Sequence, residues 1–207
     1  ASDVYKRQMS NCDIQDNVAT ASGGGLALTG VTLTESGSFY LNNEAGLSGG
    51  AVWASGGSLW MSAGRLWSNL AGGDGGGIYT EDLDDSALVN LWLHSNEAAG
   101  DGGGVVLGSG GVLANATLLD NTAGDGGGVV AGDGASVWST IVAHSTGGGI
   151  IASAGASVAY NLVYDSTQGD DLDLGGDGGG NLTADPLLAD HARGGAPSDA
   201  DISLAKG

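Results

Sequence analysis

The stretch that decides the fold is "NTAGDGGGVV", Asn121 to Val130: an asparagine, a glycine run with one acidic residue inside it, then two β-branched residues. The same order recurs along the chain. In one register an aliphatic residue follows a glycine cluster, at Leu26, Val52, Ile78, Val105, Val129 and Ile150, with spacings of 26, 26, 27, 24 and 21 residues. In a second register an apolar residue stands three places before a small polar one. These pairs are Ile14 and Asn17, Tyr40 and Asn43, Leu66 and Asn69, Leu93 and Asn96, Leu118 and Asn121, Val142 and Ser145, and Val163 and Ser166. The two registers advance nearly in step, which marks the repetition of one supersecondary unit.

Within a unit such as "GGVLANATLLDN", Gly110 to Asn121, short β-favouring runs alternate with turn residues. There is room for about three short strands and none for a helix of ordinary length. A unit this small cannot bury its own apolar face, so it stacks on copies of itself. The expectation is an all-β parallel solenoid of about seven coils of 21–27 residues, with coils ~4.8 Å apart. Ile14, Tyr40, Leu66, Leu93, Leu118, Val142 and Val163 form one inward row. Asn17, Asn43, Asn69, Asn96 and Asn121, continued by Ser145 and Ser166, form a ladder at one corner, each amide donating to one neighbour and accepting from the other. Glycines at the next corner admit positive φ and let coils approach closely.

Composition narrows the function classes. The chain carries 42 glycines in 207 residues, yet 41% of it is hydrophobic, enough to build a core. Against 24 Asp and Glu there are 5 Lys and Arg, and between Gln8 and Ala192 the only Lys or Arg is Arg65. No basic footprint for nucleic acid exists. A lone Cys12 excludes an internal disulfide. No apolar run approaches the roughly 20 residues of a membrane-spanning helix. A monomer is expected.

The glycine clusters "GGGL", "GGAV", "GGGI" and "GGGV", paired with an aromatic or aliphatic residue two spacers before Asn, resemble the repeats of polymorphic outer membrane proteins. The resemblance covers Ile14 to Ser166, although the Phe usual in that motif is Ile, Tyr, Leu or Val here. More broadly the chain is similar to right-handed parallel β-helix proteins of the pectate-lyase-like fold. That resemblance implies a right-handed coil and a secreted or surface-displayed bacterial passenger, adhesive in role, whose partner is a glycan or a cell-surface protein. Residues 1–8, "ASDVYKRQ", match nothing downstream and are expected to be a leader foreign to the fold, with the repeats over 9–180; the resemblance implies that 181–207 are a closing segment cut short, with signal and anchor outside this stretch.

Candidate chemistry lies in three places. Asp74, Asp101, Asp125 and Asp177 each occupy a Gly-Asp-Gly-Gly-Gly segment, the first three on successive coils. Stacked carboxylates repel, and Ca²⁺ would relieve them by accepting oxygen ligands; the alternative is a turn-forming Asp bonded to backbone. Further acidic groups, Glu81, Asp82, Asp84 and Asp85 in one insertion and Asp170, Asp171 and Asp173 in another, are a second possible Ca²⁺ site or simply solvated loops. The third place is aromatic. With Leu66 and Leu93 inward, alternation sends Phe39, Arg65, Trp67, Trp92 and His94 outward on one face, where Trp rings and an Arg suit sugar or protein contacts. Trp53 and Trp60 also point outward, from other faces. Relatives of this fold include polysaccharide lyases and hydrolases, but the register of Asp16, Asp120 and Asp165 is broken by Asn42, Ser68, Ser95 and His144, so no catalytic constellation emerges. The two functions in view are a recognition scaffold and a polysaccharide-active or carbohydrate-binding β-helix.

Overall fold

A computed structural model describes residues 6–166, 172–174 and 177–186, with 172–174 and 177 described through their backbone. Among the described residues there is no helix, and so none long and apolar enough to cross a membrane. Every strand pairing is parallel, and each joins one repeat to the next. The chain is a parallel β-solenoid.

Its walls follow the two registers. A seven-stranded sheet is built of three-residue strands: Asp13–Gln15, Phe39–Leu41, Arg65–Trp67, Trp92–His94, Thr117–Leu119, Ile141–Ala143 and Leu162–Tyr164. A four-stranded sheet of two-residue strands, Val18–Ala19, Glu44–Ala45, Leu70–Ala71 and Glu97–Ala98, follows the asparagine corner. The largest sheet has 13 strands and forms two walls. In the early coils these are single 11-residue strands, Leu26–Ser36 and Val52–Ser62; from Ile78–Glu81 and Asp85–Val89 onward they separate, first at the acidic insertion. Strands after the glycine corner begin at Leu26, Val52, Ile78, Val105, Val129 and Ile150, enclosing about five complete turns. The expected seven coils become five because the first and last rungs of the seven-stranded sheet belong to partial turns.

The core is made of stacked rows. Tyr40, Leu66, Leu93, Leu118, Val142 and Val163 are all buried, with Ile14 half-buried at the end, as the register requires. A second row pairs Glu35, Met61, Leu88, Leu113, Val137 and Val158. Glu35 is therefore a carboxyl standing in an apolar row. It is 1% exposed, its Oε1 accepts the Ser38 N–H at 2.8 Å, and its Oε2 has no partner. Burial raises its pKa above the usual carboxyl value, against the lowering effect of the Ser38 bond. The same burial, with Glu35 and then Cys12 adding to it, pushes the Tyr40 phenol up, and its Oη is also unpartnered.

The asparagine ladder runs from Asn17 to Asn121. Each Nδ2 donates to the Oδ1 of the next coil, at 2.9, 2.9, 2.9 and 3.0 Å. Each backbone N–H points to that same oxygen, at 3.0 to 3.3 Å. Ser145 and Ser166 keep the buried register but do not extend the ladder, and their hydroxyls have no partner. At this corner neither serine hydroxyl bonds to the neighbouring coil as the longer asparagine amide does. The polar stack moves instead to the opposite end of the three-residue strands. There Asn161 Oδ1 accepts the Thr140 N–H at 2.9 Å, and Asn161 donates through N and Nδ2 to Asn181 Oδ1 at 2.9 and 3.2 Å. Leu182 bridges to Leu162, so the stacking continues through Asn181 and Leu182.

Both ends of each three-residue strand turn on one left-handed residue. Before the ladder these are Asp16, Asn42, Ser68, Ser95, Asp120, His144 and Asp165, all with φ between 47° and 56°. On the other side stand Asn11, Gly37, Ala63, Asn90, Asn115, Ser139 and Tyr160, with φ from 50° to 72°. Asn, Asp and His are the side chains that tolerate this region best, which accounts for the three carboxylates, the amide and the imidazole that share the row before the ladder with Ser68 and Ser95. At the glycine corner close approach is required as well: a Cβ on Gly76 would lie 2.5 Å from the carbonyl oxygens of Glu97 and Gly103.

Candidate functional site

The outer face of the seven-stranded sheet brings together all five residues of the expected strip. Phe39, Arg65 and Trp92 share one row through register pairing, and Leu41, Trp67 and His94 share the next. Leu66 and Leu93 between them are buried at 1% and 0% exposure, so the strand parity is as expected. Ring centroids of Phe39 and Trp67 lie 6.3 Å apart, those of Trp67 and Trp92 6.4 Å, and those of Trp67 and His94 5.5 Å with the rings edge-on. Phe39 and His94 meet Trp67 edge-to-face, a favoured aromatic arrangement, while the two Trp rings are tilted by 31°. Phe39, Trp67 and Trp92 remain half-buried, and Arg65 is exposed. The Trp92 Nε1 is shielded from solvent and has no acceptor.

The apolar character extends beyond the strip. The same face continues as Thr117 and Leu119, Ile141 and Ala143, then Leu162 and Tyr164. From Phe39 to Tyr164 it holds no carboxylate, in a chain that has 24.

His94 is 5% exposed and anchored from both sides. Its Nδ1 lies 2.8 Å from Ser95 Oγ and its Nε2 3.4 Å from Asp120 Oδ2. A serine, an imidazole and a carboxylate thus form one chain, which the broken register had concealed. A nucleophile also requires donors for the oxyanion it creates. The nearest backbone N–H groups are already used: Ser95 N donates to Leu119 O at 3.0 Å and Asn96 N to Asn121 Oδ1 at 3.0 Å. The arrangement clamps the imidazole beside Trp67, its register partner on the adjacent coil. His144 makes a similar pair, Nδ1 to Asp165 Oδ2 at 2.9 Å, with the Tyr164 ring 5.7 Å away.

The acidic corner has a structural use that the sequence left open. Asp74 Oδ1 accepts the backbone N–H of Asp101 at 2.9 Å, Ser48 Oγ that of Asp74 at 3.3 Å, and Ser22 Oγ that of Ser48 at 3.3 Å. From Ser22 to Asp74 the side chain at this corner is an acceptor for the amide of the next coil, a role that Ser and Asp both fill. Asp101 bridges Asp125 through the backbone, and its carboxyl is raised by burial and then by the charges of Asp74 and Asp125. Asp177 lies in a strand, Asp177–Gly179, and not at the glycine corner. Glu81 takes the Tyr79 hydroxyl at 3.3 Å, Asp82 turns the chain at φ 48°, Asp84 N donates to Gly57 O, and Asp85 pairs with Ser58. Among the described residues, no group of three or more His, Cys, Asp or Glu side chains converges as a metal site. Asp170 and Asp171 lie outside the described residues, as does the side chain of Asp173.

Comparison of the chain with protein-family models, with curated proteins and with solved structures finds no match in any of the three.

Proposed function

We propose that this chain is a non-catalytic scaffold that presents the outer face of its seven-stranded sheet as a recognition surface, at the outside of the cell that makes it. The observation that carries this reading is the aromatic cluster of Phe39, Trp67 and Trp92 with His94 held beside it, on strands whose outward positions carry no carboxylate from Phe39 to Tyr164, Asp13 lying on the first rung beyond them. Apolar patches of this continuity mark interaction sites. The glycine-corner and asparagine repeats, similar to those of polymorphic outer membrane proteins, support surface display as an adhesive passenger.

A second reading, a polysaccharide-active enzyme, is favoured by one observation, the chain from Ser95 through His94 to Asp120. The committed backbone donors beside Ser95 weigh against it. Incubating the protein with plant and bacterial polysaccharides and with whole cells separates the two. The scaffold reading expects retention on at least one surface with no reducing ends, unsaturated products or freed acyl groups. Product formation that Ser95→Ala abolishes would replace it with the enzyme.

A further inference from the structure

We propose that the occupant of the outer face is a neutral linear glycan lying along the coil axis, with sugar rings against Phe39, Trp67 and Trp92 and hydroxyls against the two left-handed rows. The inference rests on the recognition reading above and adds the chemical class of the ligand. Its first support is the shape of the face. Six rungs from Phe39 to Leu162 span five coil spacings, ~24 Å, while a three-residue strand is only ~7 Å from end to end. A strip of ~170 Å² falls well below the roughly 800 Å² per partner of a stable protein interface. It fits one extended chain.

An extended peptide is the poorer candidate. Peptides gain their affinity on β-structure by pairing with a free strand edge, whereas these strands are hydrogen-bonded to coils on both sides. A glycan needs no such pairing. It offers apolar ring faces together with hydroxyls, and the strip is bordered by exposed Asn42 and Ser68 on one side and exposed Asn90 and Asn115 on the other. Their amides and hydroxyl both donate and accept. Because each sits at the same turn position of its coil, polar groups recur at the coil spacing along the edge of Asn42 and Ser68, while the other edge is Gly37 and Ala63 beside the first two rungs and turns polar at Asn90 and Asn115.

Charge selects within the class. The chain carries a net −19, and Asp16, Asp120 and Asp165 stand in one bordering row. That field repels a polyanion. Arg65 then serves a neutral ligand as a hydrogen-bond donor and ring neighbour.

Calorimetric titration of the whole chain tests this, using neutral oligosaccharides (cello-, xylo-, manno- and β-1,3-gluco- series) and acidic ones (oligogalacturonate and oligoalginate), at low and high salt. One neutral series should bind, more tightly with length, and with little response to salt. Trp67→Ala or Trp92→Ala should weaken that binding by about tenfold or more, and Ser68→Ala or Asn90→Ala by a few-fold. Trp60→Ala and Trp138→Ala, exposed on other walls, should leave it unchanged. Circular dichroism melts verify that each variant is folded. Salt-sensitive binding of an acidic series alone, or glycan binding indifferent to Trp67 and Trp92, overturns the inference. If no glycan binds but a protein does, and Trp67→Ala abolishes it, the glycan assignment falls and the recognition reading stands. If no outer-face variant alters attachment to anything, both fall.

Discussion

Replacing Asn96 by Ala removes four hydrogen bonds from the middle of the ladder. Its Oδ1 accepts Asn69 N at 3.1 Å and Asn69 Nδ2 at 2.9 Å, and its Nδ2 donates to Leu66 O and Asn121 Oδ1, both at 3.0 Å. Asn69 Nδ2 retains Tyr40 O, and Asn121 Oδ1 retains the Asn96 N–H, so those groups stay paired. The Asn69 N–H and the Leu66 carbonyl lose this partner inside the stack. At ~1–3 kcal/mol for each of these two buried groups left unsatisfied, the expected loss is ~2–6 kcal/mol. Asn17 lies at the exposed end, and its side chain donates without accepting from any described coil. Asn17→Ala should therefore cost no more than ~0.5–1.5 kcal/mol, the net value of ordinary hydrogen bonds. Urea unfolding followed by far-UV circular dichroism measures both, and amide exchange at Asn69 locates the damage. Equal midpoint shifts at positions 96 and 17 would refute the continuous ladder.

Ser145→Asn should restore a rung where a buried hydroxyl now lacks a partner, raising stability by ~1 kcal/mol; a loss in the urea midpoint would show that the shorter coil there has no room. Ala63 turns at φ 54°, so Ala63→Gly should gain ~0.5–1 kcal/mol net of glycine entropy, whereas Ala114→Gly within a strand should lose a similar amount. Glu35 has a folded pKa raised above its ordinary value of 4.5, so its contribution is fully present below that pH and is lost as pH rises through the raised value. Glu35→Gln should flatten that fall, and Glu35→Met, the residue type beside it in the row, should stabilise the protein at neutral pH; parallel pH profiles for wild type and Glu35→Gln would show that Glu35 does not titrate there.

What the sequence made legible is what repeats with a chemical requirement. The ladder asparagines and the row from Tyr40 to Val163 each satisfy one narrow demand, amide to amide or apolar to core, so their identity shows at the period. Parity followed from them, which is why Trp67 and Trp92 were placed correctly. The left-handed rows were harder to see because φ near 50° is a backbone demand that Asn, Asp, Ser and His each meet. Read as carboxylates, Asp16, Asp120 and Asp165 looked like an interrupted register; read as turn formers they are unbroken. Glu35 was missed for the opposite reason. Its place 26 residues before Met61 assigns it to the core row, and a carboxyl there contradicts the row's chemistry. Contacts made across coils, such as His94 with Asp120, depend on side-chain reach and no linear register displays them.

The most direct test of the account is the Trp67→Ala, Trp92→Ala double variant, taken through a thermal melt and a binding assay on the same sample. Both rings are half-buried on the outside of the sheet, so the loss should be limited to their mutual packing of ~0.5–1.5 kcal/mol and some area. At ~2–4 °C per kcal/mol for a chain of this size, the melting midpoint should fall by only several degrees, with the β-sheet spectrum intact and attachment to the ligand surface abolished. A variant that no longer folds, or one that folds and attaches as wild type does, would contradict the claim that this face is built for recognition.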